Sequence, residues 1–391
     1  MSASYLSVCD AYLFGGDLLM INSSLTTSYT LRLVTCGPTF IGSGNRVNKK
    51  EYRYSSDKGT VFFYDLDRLM DCIIKNDLIE EFEEYMLGSG RTLAQFFRQN
   101  GGTEPFESAL KHSVSCGSAI FEQGALPADI LLHCRNAAGK AYVPGSSIKG
   151  MLRTAITAGS ILQNMPKSHR PSIPDTSENY YKAFIQDANR CMRQLDEELF
   201  HTLRADVKNM YNAVNNIFRG VSVSDSSAIP DQDMVLCRKK DLFPGLNGNS
   251  RDINVIRECI RPGCRIETVI TLDQTLCGFL TPKSIMESIR QFNNWYTKNV
   301  FVSYPGVQAA QFPDPNKYYL FLGGGSGYFS KTVTAPWMGE DALSYITALL
   351  TLQFKGKNAS DKKLGISPHM LKCTEINQLL YLFGLCEVEI L

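Results

Sequence analysis

The sequence predicts an α+β fold of two ferredoxin-like units (RRM-like, split βαβ) that carry helical insertions. Short runs such as "YTLRLVT" (29–35) and "CRIETVITLD" (264–273) alternate with the period of a half-buried strand. Helical periodicity falls in separate blocks, as in "KSIMESIRQFNNWYTKNV" (283–300). The two kinds of run do not follow the regular βαβα order of a doubly wound sheet. At 391 residues the chain is about right for two domains, and the expected division is 1–219 and 220–391.

The first strand, 29–35, runs into a turn and a glycine loop, "CGPTFIGSGNR" (36–46). Residues 65–84 hold eight acids and two bases, the composition of a solvated helical face. Runs 130–135 and 141–143 read as a hairpin around "NAAGK", and a helix opens just after it. In "YVPGSSIKGMLRTAI" (142–156), Ser146 or Ser147 is the N-cap candidate, and Ile148, Met151, Leu152, Ala155 and Ile156 recur as one apolar face. Prolines at 166, 171 and 174 mark a loop, and an amphipathic helix is expected over 187–218. Beyond it, 221–225 reads as a strand, as do 264–273 and "KYYLFL" (317–322), which runs into "GGGSGYFSKT" (323–332). A helix at 341–354 and a last strand, "LCEVEIL", complete the chain.

Forty basic residues against thirty-nine acidic give a net charge of +1, so a polyanion-binding surface must come from how the charges are distributed. Twelve cysteines without a C-x-x-C favour free thiols in a reducing cytoplasm. The first basic residue is Arg32, which leaves no n-region for a signal peptide, and no apolar run approaches membrane-spanning length. A cytoplasmic protein is expected. Histidines at 112, 133, 169, 201 and 369 form no pair at ligand spacing, so neither a metal nor another cofactor is expected; His133, beside the basic hairpin, is the one worth testing.

Three stretches lack acids: between Asp17 and Glu51, between Asp129 and Asp175, and between Asp314 and Glu340. Each contains a glycine-rich turn: Gly42-Ser43-Gly44, Gly145-Ser146-Ser147, and Gly323 to Gly327. Backbone N–H groups of such turns bind phosphate oxygens, with Lys and Arg supplying the charge. Lys149 and Arg153 fit that use, because near a helix N-terminus they oppose the macrodipole and repel each other.

Two enzymatic readings stand as alternatives. Ser146-x-x-Lys149, then Ser224-Asp225-Ser226, then Lys331-Thr332 arrive in the order of the penicillin-recognising acyl-serine set, with Ser226 and Val333 departing from it. "GSGYFSKT" (325–332) nearly matches a phosphate loop, with Ser330 in place of the second glycine.

Taken together, "YTLRLVTCGPTFIGSG", "YVPGSSIKGMLRTAI" and "FLGGGSGYFSKT" resemble the RAMP superfamily of CRISPR-associated RNA-binding proteins, and within it the fifth subunit of type III-A (Csm) effector complexes. "VSDSSAI", "ECIRPGCRIE" and "GISPHMLKCT" extend the likeness over most of the chain. The resemblance implies a non-catalytic subunit that grips the 3′-proximal guide RNA by its backbone. It also implies a place at the end of a helical assembly beside the repeating backbone subunit and the other Csm subunits. A link to maturation of the guide's 3′ end is implied too, for which recruitment of a host nuclease is one route. The aspartate with which the related backbone subunit cleaves RNA has no counterpart in the acid-free first loop, so slicing is not carried over. The expected RNA-binding set is Ser43, Gly44, Arg46, Gly145, Ser146, Ser147, Lys149, Gly150, Arg153, Gly323, Gly324, Gly325, Ser326, Gly327 and Lys331. Tyr142, Tyr328 and Phe329 flank these segments, either to stack on bases or to pack in the core.

Overall fold

A computed structural model describes residues 25–117, 128–173, 181–245, 249–305, 314, 316–354, 356, 358 and 360–391. Among the described residues the order of elements begins with β1 (Thr26–Thr35), β2 (Gly42–Val47), β3 (Tyr52–Ser55), β4 (Thr60–Tyr64), α1 (Leu66–Lys75), α2 (Ile79–Leu87) and α3 (Leu93–Gln99). It continues through β5 (Leu110–Cys116), β6 (Ile130–His133), α4 (Gly145–Gln163), α5 (Tyr181–Phe200), β7 (Val221–Val223), β8 (Met234–Leu242), β9 (Ser250–Ile260) and β10 (Arg265–Asp273). It closes with α6 (Pro282–Asn299), β11 (Tyr319–Phe321), α7 (Thr334–Met338), α8 (Ala342–Gln353), α9 (Asp361–Leu364), β12 (Leu371–Ile376), β13 (Leu379–Leu382) and β14 (Leu385–Ile390). The α+β class holds.

One sheet has the order β11-β14-β1-β10-β7, with every neighbouring pair antiparallel. Its central strand, β1, buries Leu31 and Leu33 completely on one face. On the other face Arg32 sits opposite Glu267 and Glu389 and bonds both, at 3.0 and 3.1 Å, so charge complementarity reinforces the register on each side. A larger sheet runs β2-β6-β9-β8-β5-β4-β3, with β12 added to β8 and β13 to β12. Both sheets draw strands from either side of position 220, so a cut at 219/220 passes through each of them.

Helix α4 buries the expected row Ile148, Met151, Leu152, Ala155 and Ile156, each large member of which contributes ~1.5–3 kcal/mol. The row continues to Gly159, where a Cβ would come within 2.5 Å of Ser288 Cα, so glycine lets α4 close onto α6. Helix α6 is opened by a capping box between Thr281 and Ser284. Helices α1 to α3 cover a separate aromatic cluster in which Phe97 and Phe106 stack at 4.1 Å, while Asp67, Asp71, Glu80 and Glu84 face solvent. No helix among the described residues is long and apolar enough to cross a membrane.

Two expected elements differ. The helix expected over 187–218 ends at Phe200, because Asp206 and Asn215 bond backbone that a helix would need. Asp206 accepts from Lys208 N and Asn209 N, and the buried Asn215 amide donates to the carbonyls of Asp206, Asn209 and Met210. The glycine loop at 36–46 becomes an edge strand from Gly42 onward, paired with β6 through a bulge that accommodates Gly44 at φ +86°.

Candidate nucleic-acid interface

The start of α4 is capped from a distance. Pro144 occupies the N-cap position and the expected serine cap is not made. Instead, the Gly145 N–H donates to Asp225 at 2.8 Å, while Val143 N–H donates to the Ser226 hydroxyl and Ser226 N–H to Val143 O, both at 2.9 Å. Gly145 is required here, since a Cβ would overlap Val223 O. The Ser224-Asp225-Ser226 segment is therefore a clasp on the helix start. It leaves Ser146 exposed and Ser147 half-buried in the first turn.

Lys149 and Arg153 find partners that the local sequence does not show. The Lys149 ammonium donates to Phe218 O at 2.8 Å and Val221 O at 2.6 Å, and burial followed by the Arg153 charge lowers its pKa. Arg153 pairs with Asp196 on α5, and its guanidinium lies 5.2 Å from the Phe200 ring and 4.7 Å from the Phe218 ring. In the second acid-poor stretch Arg135 pairs with Asp231 and the fully buried Glu258, and Lys140 with Asp231. A gap in the sequence is thus filled in space.

The late glycine segment lies against the residues that follow β1. Gly324 N–H donates to Phe40 O at 2.7 Å, and a Cβ at Gly323, whose φ is +77°, would overlap that same carbonyl. Lys331 donates to Phe321 O at 2.8 Å, and burial pushes its pKa down to about 8. Ser330 donates to Ser326 O and Gly327 O, and Thr332 to Tyr328 O. The phosphate-loop residues therefore serve their own turn.

His133 joins the first two segments. Its Nδ1 accepts the Ile41 N–H at 3.2 Å, so the proton sits on Nε2, which donates to Tyr142 O at 3.1 Å. Burial, opposed by Glu258, lowers its pKa to about 4. An unfolded-state histidine titrates near 6.5. Stability from this ring is thus complete above that value and lost as pH falls from 6.5 towards 4, by roughly 3 kcal/mol. Denaturant melts across this range should show the loss, and His133→Asn should lack it.

The three glycine segments meet at one open cleft of about 400 Å³. Ile41 and Gly42 come from the first, Ser146, Ser147, Gly150, Met151 and Thr154 from α4, and Gly323, Gly324, Ser330 and Lys331 from the third. No carboxylate lines it among the described residues. A model of the RAMP superfamily matches residues 32–325, a span that reaches from β1 into the third segment. The chain belongs to the RAMP superfamily. Its RAMP relatives include the CRISPR system Cms protein Csm5 of Mycobacterium tuberculosis, 26% identical over 390 residues, covering 93% of this chain and 97% of that one. The protein of the same name from Streptococcus thermophilus is 24% identical over 323 residues, covering 78% and 80%. Among solved structures, a chain of a Csm-crRNA-target RNA ternary complex of a type III-A CRISPR-Cas system matches with TM-score 0.62 at 17% identity, over 92% of this chain and all of that one. Csm5 of T. onnurineus matches with TM-score 0.59 at 16% identity, over 91% and 99%.

Of the expected set, Ser146, Ser147, Gly150, Gly323, Gly324 and Lys331 line the RAMP cleft. Gly145 is buried under the Asp225 clasp, and Lys149 and Arg153 hold internal partners. Ser43 and Gly44 are exposed on β2, with Arg46 3.6 Å from Asp129. Gly325, Ser326 and Gly327 do not line the cleft. Tyr328 and Phe329 pack with Phe184, Tyr345 and Trp295 in the core. Sequence reasoning missed Asp196, Asp225 as a clasp, and Thr154; the signal for Thr154 is its place one turn after Gly150 on the same helix face.

Proposed function

We propose that this RAMP protein is the Csm5-type subunit of a type III-A CRISPR effector complex. In this reading it holds the 3′-proximal guide RNA by its backbone, caps the filament of backbone subunits and supports 3′ maturation of the guide in antiviral defence, by recruiting a host nuclease. It works in the cytoplasm and without catalysis of its own. The observation that carries the reading is the meeting of three glycine segments, far apart in sequence, at one cleft at the positive end of α4 that no carboxylate lines among the described residues. The path β1-α4-β7-β10-α6-β14 with strand order β14-β1-β10-β7 supports a ferredoxin-like unit, since it has the connectivity and the 4-1-3-2 order of a split βαβ pair. The internal bonds of Lys149 and Lys331 favour this reading over the acyl-serine and phosphate-loop alternatives, because both amines are spent on main-chain carbonyls.

Gly150 provides the test. It lies inside α4, is exposed, and a Cβ there would meet nothing within 4 Å, so neither packing nor φ requires glycine. Glycine inside a helix costs about 0.5–1 kcal/mol relative to alanine. Access of an RNA backbone to the cleft accounts for that cost. Gly150→Ala should therefore melt higher than the parent, and Gly150→Leu should stay folded yet bind single-stranded RNA at least about tenfold more weakly. Equal RNA affinity in the leucine variant would remove the cleft from the RNA path.

A further inference from the structure

A second cavity opens between α6, the α7–α8 corner and the residues after α9, and it shares no lining residue with the cleft. Its volume is about 170 Å³. The rings of Trp295 and Phe329, both half-buried, stand 6.5 Å apart at 52° and form its aromatic side, while Leu343 adds apolar surface from α8. Glu340, exposed in the turn before α8, contributes a carboxylate to the lining. The unspent polar capacity is mainly acceptor. Asn299, also exposed, directs its amide nitrogen to Trp295 O at 2.8 Å and keeps its amide oxygen free, and the Ser367 hydroxyl is turned inward onto Asp361. The N–H groups of Gly339 and Gly365 are spent on Ala335 O and Lys362 O. No cation lines the cavity among the described residues. Arg170, which packs against Gly339, directs its guanidinium to Met338 O at 3.2 Å, and the exposed Lys298, Lys362 and Lys363 lie outside the lining.

An aromatic wall beside a carboxylate suits a flat cation rich in N–H donors. Small-molecule sites occupy about 300–1,000 Å³, so this cavity has room for one side chain rather than for a cofactor or a nucleotide. Glu340, with Asp341 next to it, also repels a phosphate chain, which argues against a nucleic acid here. We propose that the cavity receives one arginine side chain from a neighbouring protein subunit. The guanidinium stacks on Trp295 and bonds Glu340 and the Asn299 oxygen, while the aliphatic stem lies against Phe329 and Leu343. Arginine fits better than lysine because a planar guanidinium satisfies ring and carboxylate together, whereas an ammonium is a compact point charge that cannot stack. Pockets that enclose an arginine against aromatic rings are where the binding energy of protein interfaces concentrates. The proposal rests on the reading of this chain as a subunit of a larger assembly, and it is independent of the RNA cleft.

The test titrates the full chain with a capped glycine-arginine-glycine peptide while tryptophan fluorescence is followed. The chain's other tryptophan, Trp337, is 1% exposed and shielded from a surface ligand, so the response reports Trp295. A saturable change is expected, weakened about tenfold in Glu340→Gln and about tenfold when glutamine replaces arginine in the peptide, with the lysine peptide in between. In assembly, Glu340→Lys, checked by thermal melting, should join its neighbouring subunits at least about tenfold less well, while the free variant binds a polyuridylate oligomer as the parent does. No saturation by the arginine peptide, or equal affinity in Glu340→Gln, overturns the site. Displacement of the peptide by uridine or adenosine overturns the protein occupant in favour of a base. A folded Glu340→Lys that assembles normally overturns the assignment to a subunit interface. If the parent neither assembles nor binds RNA, yet the arginine peptide saturates it in a Glu340-dependent way, the arginine site stands and the reading as a subunit of an RNA-guided complex falls.

Discussion

Gly323→Ala is expected to destabilise the chain by about 4 kcal/mol, whereas Gly324→Ala, one residue on, should be nearly neutral. The difference is geometric. At Gly323 a Cβ would overlap Phe40 O, and φ of +77° is a conformation that L side chains rarely adopt. At Gly324 the same atom would meet the Phe40 ring at 3.4 Å, an ordinary contact. Because Gly324 N–H donates to that carbonyl, displacing Gly323 breaks the bond that holds the third segment against the first, and the cleft loses one wall. Chemical denaturation of the two variants measures the gap. Equal midpoints would mean that the segment moves aside freely, and that the cleft is not held by this contact.

The parts of this molecule legible in its sequence are those fixed by neighbours in the chain. The period-two run at 264–273 became β10 (Arg265–Asp273), and the helical run at 283–300 became α6, with Thr281 and Ser284 as its local start signal. The three glycine segments were also visible, since glycine has a local signature. Their meeting was not, because it depends on β1 pairing with β10 and β14 across most of the chain. Acid-poor gaps misled for the same reason: Asp196, Asp225 and Asp231 fill the second gap from other elements. The hairpin of β8 and β9 went unread because "CRKKDL" and "SRDIN" place charges where a buried strand would show alternation. One long-range signal was present without being decisive. Arg32, Glu267 and Glu389 each stand inside an alternating run, the sort of outward-facing charge that a central strand tolerates only when its neighbours supply the opposite sign.

Lys149→Met combined with Arg153→Ala is expected to lower stability by about 4 kcal/mol, before any effect on RNA. Lys149 satisfies Phe218 O and Val221 O, the carbonyls that lead the chain into β7, and methionine would bury the same stem while leaving both unpaired. Arg153 ties α4 to Asp196 on α5 and covers Phe200 and Phe218, so its loss removes an ion pair and apolar packing together. Both cations sit near the N-terminal end of α4, where the macrodipole disfavours them, and these internal partners supply the compensation within the free chain. The two single variants should add to less than the double, because both act on the segment around Phe218. Melting of all three variants against the parent measures this, with RNA affinity taken on the folded fraction alone. A double variant that melts like the parent but binds RNA more weakly would place both side chains on the RNA path, and the carbonyl bonds would then be a resting state that RNA displaces.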